Sequence, residues 1–326
     1  MATNPDTFVS TGRLPRTELV TRLVADAHER FAGELRGTRS QVYPALAQVP
    51  ADLFGVCVVA TNGDVVAAGD AEVEFAIMSV AKPFVFALVC EAEGPRLARE
   101  RLGANGTGLP FNSLAAIERS ADGRTNPMVN PGAIAATSLV GGGSTEERWQ
   151  QIQAGIGRFA GRVLDLDDEI YASASRTNHR NQSIARLLQS YGRVYCDAAE
   201  AVELYTRQSC LSVSARDLAV MGATLAHGGV NPVTGEQVVN AETCRYTLAV
   251  MTTAGLYETS GDWLYDIGLP GKSGIGGGIV TVAPGKGGLG TFAPPLDEAG
   301  NSVKGQLVAA FLSRRLGLDV FASGPE

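Results

Sequence analysis

A chain of 326 residues in which 45% of side chains are hydrophobic and 19% charged holds enough apolar material for one or two packed domains. Its 27 Lys and Arg against 34 Asp and Glu leave a net charge of −7, so there is no basic surplus to attract a polyanion and nucleic acid is excluded as the main partner. Without an apolar run of the ~18 residues a membrane helix needs, no membrane span is expected either.

Along the chain, Leu19, Leu23, Ala27 and Phe31 recur at helical spacing, so residues 1–37 are expected to be an extension with one amphipathic helix that packs on the body. The first twenty residues lack the continuous apolar centre of a secretory leader. Two β-rich runs, Phe54–Ala60 and Val65–Gly69, flank Asn62-Gly63, which predicts a hairpin with a type I′ turn. Ser79 then opens a mostly apolar stretch to Glu91, read as a buried helix with Pro83 in its first turn. From about 110 to 260 the periodicity is helical. Ser144 and Glu147 form a capping-box pattern ahead of Trp149, Ile152, Ile156, Phe159 and Val163, Ser214 with Asp217 opens another helix, and Asn240 caps a third. After 265 glycines return with β-rich runs around 277–283 and 289–293, and a helix from about Val303 to Leu316 closes the chain.

The layout is α+β: an antiparallel sheet flanked by helices, built from residues 38–110 and 265–326, with a helical domain over 111–264 inserted between. Five cysteines with no C-x-x-C, several of them in apolar runs, point to free core thiols and a cytoplasmic chain. Three scattered histidines offer little to a zinc site or a Ser-His-Asp triad, so no metal or cofactor is expected.

Two short motifs carry chemistry. In Ser79-Val80-Ala81-Lys82 the hydroxyl and amine are three residues apart, which puts both on one helix face. A lysine in so apolar a helix is desolvated, and that lowers its pKa toward what a general base requires. Taken alone, the same residues also read as a helix cap and a lysine reaching to solvent. The second motif, Gly271-Lys272-Ser273-Gly274 before a β-run, resembles the Lys-Thr/Ser-Gly strand of serine β-lactamases and penicillin-binding proteins, where a lysine and a hydroxyl line one side of the pocket. It also ends a phosphate-loop pattern, but Asp266 stands where that pattern needs its first glycine. An edge hairpin remains the plain alternative.

With both motifs in order, the chain resembles the serine-dependent glutaminases, which share the β-lactamase-like fold. The likeness covers roughly 38–316 and rests on ordered stretches such as Pro110-Phe111-Asn112-Ser113, Asn126-Pro127-Met128-Val129-Asn130, Arg180-Asn181, Gly255-Leu256-Tyr257 and Gly300-Asn301-Ser302. The resemblance implies hydrolysis of a side-chain amide through an acyl-enzyme. Ser79 would be the nucleophile, Lys82 its base and Tyr257 a proton carrier. The N–H groups of Ser79 and Ile275 would form the oxyanion hole, and Asn130, Asn181 and Tyr205 would hold the substrate, with Lys272 and Ser273 on the pocket wall. It further implies a small-molecule partner and a homo-oligomer, dimer or tetramer.

The sequence departs from the family at three polar positions. Ala174 replaces the glutamate expected to meet the substrate's α-ammonium, Met78 replaces a glutamine before the nucleophile, and Val42 replaces a tyrosine, with Tyr43 shifted next to Pro44. These changes imply a pocket that no longer favours the ordinary glutamine zwitterion, so the substrate is L-glutamine or a close analogue with a blocked, absent or bulkier group at the α-amino end. A β-lactamase-like hydrolase or esterase and a non-catalytic binding protein of the same fold are the alternatives.

Overall fold

The computed structural model describes residue 12 and residues 14–322, so most of the leader reading above lies outside the described residues. A five-stranded antiparallel sheet runs in the order β2-β1-β7-β6-β5, from β1 (Gly55–Ala60), β2 (Val65–Gly69), β5 (Gly271–Ser273), β6 (Gly278–Ala283) and β7 (Gly287–Phe292). Two short strands, β3 (Phe75–Ala76) and β4 (Ser212–Val213), pair with each other. The sheet is thus built from residues near both ends of the chain, as the β-rich runs predict.

Both faces of its central strands are covered, and the period of two divides their side chains between two cores. Val56 and Val58 join Ile279 and Leu289 under the Thr17–Ala32 and Val303–Leu316 helices. Cys57, Val59, Val280 and Val282 face the other way, toward Leu218 and Met221 of the Ala215–Ala226 helix. That helix lies nearly flush on β7, because a Cβ on Gly288 or Gly290 would run into its backbone. Within Thr17–Ala32 the buried stripe is Val20, Leu23, Val24 and Ala27, with Leu19 and Phe31 at its edges.

The hairpin forms with a longer turn than predicted. Ala60 N–H bonds to the Asp64 carbonyl at 2.9 Å, and of Asn62 and Gly63 only Gly63 takes a positive φ, 92°. A two-residue type I′ turn is therefore absent, because the Thr61 N–H is drawn to the Lys286 carbonyl at 3.0 Å. Ser144 caps the Thr145–Ala160 helix through the Glu147 N–H, but the Glu147 carboxylate turns to the Gly143 N–H at 2.7 Å, so only half of the box forms. The box at Ser214 and Asp217 is complete. Val163 falls beyond the left-handed Gly161 that ends its helix and is 78% exposed, a correction to its place in the apolar stripe.

Candidate active site

β3 delivers the nucleophile. Phe75 stacks on Phe292 of the main sheet with ring centroids 3.9 Å apart, and the Ile77 N–H bonds to the Leu211 carbonyl, which fixes the chain entering Ser79. A 3-10 turn, Met78–Ala81, then feeds the Lys82–Glu93 helix. Met78 has φ of 49° and Tyr257 of 58°. Among the described residues they are the only non-glycine positions in the left-handed region, and both flank this site.

Ser79 and Lys82 are both buried. Lys82 Nζ donates to Asn130 Oδ1 at 2.7 Å, at the start of the Asn130–Thr137 helix. The same oxygen accepts from the Tyr205 hydroxyl at 3.0 Å, and Asn130 Nδ2 donates to Asn181 Oδ1 at 2.9 Å. Four of the predicted residues therefore form one hydrogen-bonded chain. Ser79 lies within reach of the Tyr205 and Tyr257 phenols, whose rings stand 5.9 Å from the Lys82 amine. Among the described hydrogen bonds none joins Ser79 directly to Lys82, so the amine is oriented by Asn130 rather than by the nucleophile.

Burial alone pushes the Lys82 ammonium down to about 7, because no carboxylate offsets its desolvation. Burial acts in the opposite sense on the Tyr257 phenol, raising it to about 12, so it stays protonated at neutral pH. An uncharged amine beside a hydroxyl and a neutral phenol can accept, pass on and return a proton.

The Lys272-Ser273-Gly274 stretch forms β5 and the turn after it. Lys272 is fully buried and donates to the Gly255 and Ser273 carbonyls at 2.7 and 2.8 Å, with Nζ 4.0 Å from the Tyr257 ring centre. Burial first, and then the nearby Lys82 charge, hold its pKa well below the ordinary value. Ser273 Oγ donates to Asn301 Oδ1 at 2.5 Å. Both residues adjoin Tyr257, whose hydroxyl donates to the Ser273 carbonyl at 3.3 Å. Beyond them the chain presses against the nucleophile: a Cβ on Gly274 would lie 2.9 Å from the Ile77 carbonyl oxygen and 3.2 Å from the Ser79 nitrogen. Only glycine allows that approach, which carries Ile275 to the pocket wall. Neither the Ser79 nor the Ile275 N–H has a backbone partner among the described residues.

The pocket is lined by Ser79, Asn130, Asn181, Tyr205 and Ile275, all expected from the sequence. Tyr43, Phe111, Asn112, Asn178, Arg180 and Ser209 also line it and had been given no site role. Phe111, Asn112 and Arg180 lie inside the matched stretches, which is the signal the sequence offers for them. Tyr43, Asn178 and Ser209 come from a loop and helices that only folding brings together. Val42 and Met78 line the wall as well, while Ala174 sits behind it in a small apolar cluster with Met78, Ile170 and Cys210. Among the described residues no group of three His, Cys, Asp or Glu is placed to hold a metal ion.

The profile of the family described as Glutaminase matches residues 37–321. The chain is 66% identical to Glutaminase 2 of Yersinia pestis over 98% of this chain and 94% of that protein. It is 46% identical to Glutaminase 1 of Escherichia coli O6:H1 over 91% of this chain and 96% of the other. Among solved structures, a probable glutaminase, ybaS, superposes with a TM-score of 0.93 at 44% identity, covering 94% of this chain and 99% of its own.

Proposed function

The chain belongs to the glutaminase family and hydrolyses the side-chain amide of glutamine, and we propose that Ser79, Lys82 and Tyr257 carry out that reaction. Ser79 Oγ attacks the amide carbon while the neutral Lys82 amine takes its proton. The tetrahedral oxyanion is received by the N–H groups of Ser79 and Ile275, which no backbone acceptor occupies among the described residues. Collapse breaks the C–N bond, and the Tyr257 phenol gives a proton to the departing nitrogen, which leaves as ammonia. Lys82 returns its proton toward the phenolate. Water, deprotonated by Lys82, then attacks the ester, and Ser79 leaves with the proton restored. Asn130 orients Lys82, while Asn181 and Tyr205 hold the substrate chain.

The observation that carries this reading is the buried chain Tyr205–Asn130–Lys82, whose amine lies 5.9 Å from the rings of Tyr205 and Tyr257, the two phenols within reach of Ser79. The expected result of Ser79→Ala is a loss of ammonia release by roughly 10⁴-fold or more with the fold intact by circular dichroism. Retained turnover in that variant refutes the assignment.

We also infer a cytoplasmic homo-oligomer with a sheet unit, 38–110 and 265–326, around a helical unit, 111–264. Five unpaired cysteines, four of them buried, support the reducing compartment. No helix among the described residues is long and apolar enough to cross a membrane.

A further inference from the structure

Among the described residues none of the side chains lining the pocket is an aspartate or glutamate, and the one that stays ionised at any working pH is Arg180. Arg180 Nε donates to the Asn112 carbonyl at 2.9 Å, which anchors the guanidinium at the exposed rim. Lys82 bonds to the lining residue Asn130, and Lys272 lies beyond it against the Tyr257 ring, both amines with depressed pKa values. The wall beside Ser79 is apolar: Met78 packs with Ala174, Cys210 and Leu46, and Tyr43 and Ile275 lean against them. Carboxylates of the neighbouring helices are already engaged. Glu203 binds Arg207 at 2.8 Å and the Tyr171 hydroxyl, and Asp167 caps the Ile170 N–H at 2.9 Å.

Free glutamine presents an α-carboxylate and an α-ammonium together. The carboxylate finds a cationic rim, but the ammonium must leave water with no counter-charge on the wall. The neutral side chains of Asn112 and Asn178 on the wall serve an uncharged N–H as well as a charged one, although Asn178 Oδ1 already accepts from Gln182 Nε2 at 2.9 Å. We propose that the pocket selects amides of a five-carbon carboxylic acid that carry the carboxylate but no positive charge at the α-position. Two sources share this chemistry: the α-nitrogen is acylated, or it is missing. The inference rests on the Ser79 amidohydrolase reading above and narrows its substrate; free glutamine is the poorer member of the class.

Purified full-length protein is assayed for ammonia release from L-glutamine, N-acetyl-L-glutamine and 5-amino-5-oxopentanoate. The expected kcat/KM for one or both of the latter exceeds that for L-glutamine by about tenfold or more, the scale of one hydrogen bond to a charged group. Preference for the acetylated amide identifies the acylated source, and preference for 5-amino-5-oxopentanoate the amine-free one. Thr177→Glu places a carboxylate on the pocket wall at an exposed position and is expected to shift the preference toward L-glutamine by about tenfold. Ala174→Glu does the same one helical turn back, at greater risk to folding. A wild-type ratio below tenfold, or in favour of L-glutamine, overturns the inference and leaves the amidohydrolase standing. No Ser79-dependent ammonia from any of the three overturns both.

Discussion

The central sheet and the pocket behind β3 follow opposite rules. In the sheet, Val56, Val58, Ile279 and Leu289 fill one core and Cys57, Val59, Val280 and Val282 the other, and local preference, pattern and burial agree at every position. At the pocket the chain holds two non-glycine residues at positive φ and buries two lysines without a carboxylate for either. Each of these features costs stability, and each sits next to Ser79 or Tyr257. The contrast shows where this protein gives up stability, and what it gains there is an amine held down to about 7, the proposed base.

Three measurements break or sharpen this contrast. The largest effect is expected from Lys82→Met, which removes the base: kcat falls about 10²- to 10⁴-fold. The melting temperature is expected to rise by about 2–4 °C at pH 6, because a buried charge is gone. The sign follows from linkage: the folded lysine titrates near 7 and the unfolded one near 10.4. The penalty is therefore complete below pH 7 and fades as pH rises toward 10.4, and with it the advantage of the variant. A less stable Lys82→Met protein at pH 6 contradicts the contrast.

Leu312→Ala, in the core under the sheet, is expected to do the reverse. It costs about 2–5 kcal/mol in denaturant unfolding while kcat/KM of the folded enzyme stays unchanged. A drop in kcat/KM at temperatures where the variant is fully folded couples the two regions. The smallest effect is the pH profile of the wild type. Because the amine must be neutral, kcat/KM is expected to climb about tenfold per unit below pH 7 and to level above it. A profile flat from pH 5 to 8 removes Lys82 from the role of base.

Much of the scaffold was legible in the chain because it depends on near neighbours. The Val303–Leu316 helix begins and ends where its Ser302 cap and Gly317 stop place it, and Ser214 with Asp217 forms the box their spacing predicts. Glu147 and the Asn62-Gly63 turn departed from prediction because distant or adjacent backbone groups, Gly143 N–H and the Lys286 carbonyl, competed for the same bonds. For the site, the Ser79 and Lys82 pair was readable from one turn of helix, whereas the contacts that set Lys272 and Ser273 against Tyr257 join residues well apart in the chain.

The amino-acid order by itself determined which segments become strands and helices, which faces are apolar, and that a hydroxyl and an amine share one face, since periodicity and capping act over a few residues. Tertiary structure alone decided that Asn130, Asn181 and Tyr205, from three separate helices, meet Lys82 in one hydrogen-bonded chain. The apolar run around Lys82 already indicated the direction of its shift, but only the full packing, with no carboxylate lining the pocket among the described residues, holds the amine down to about 7. Desolvation and charge balance are sums over everything packed around a group, and no local stretch of sequence contains that sum.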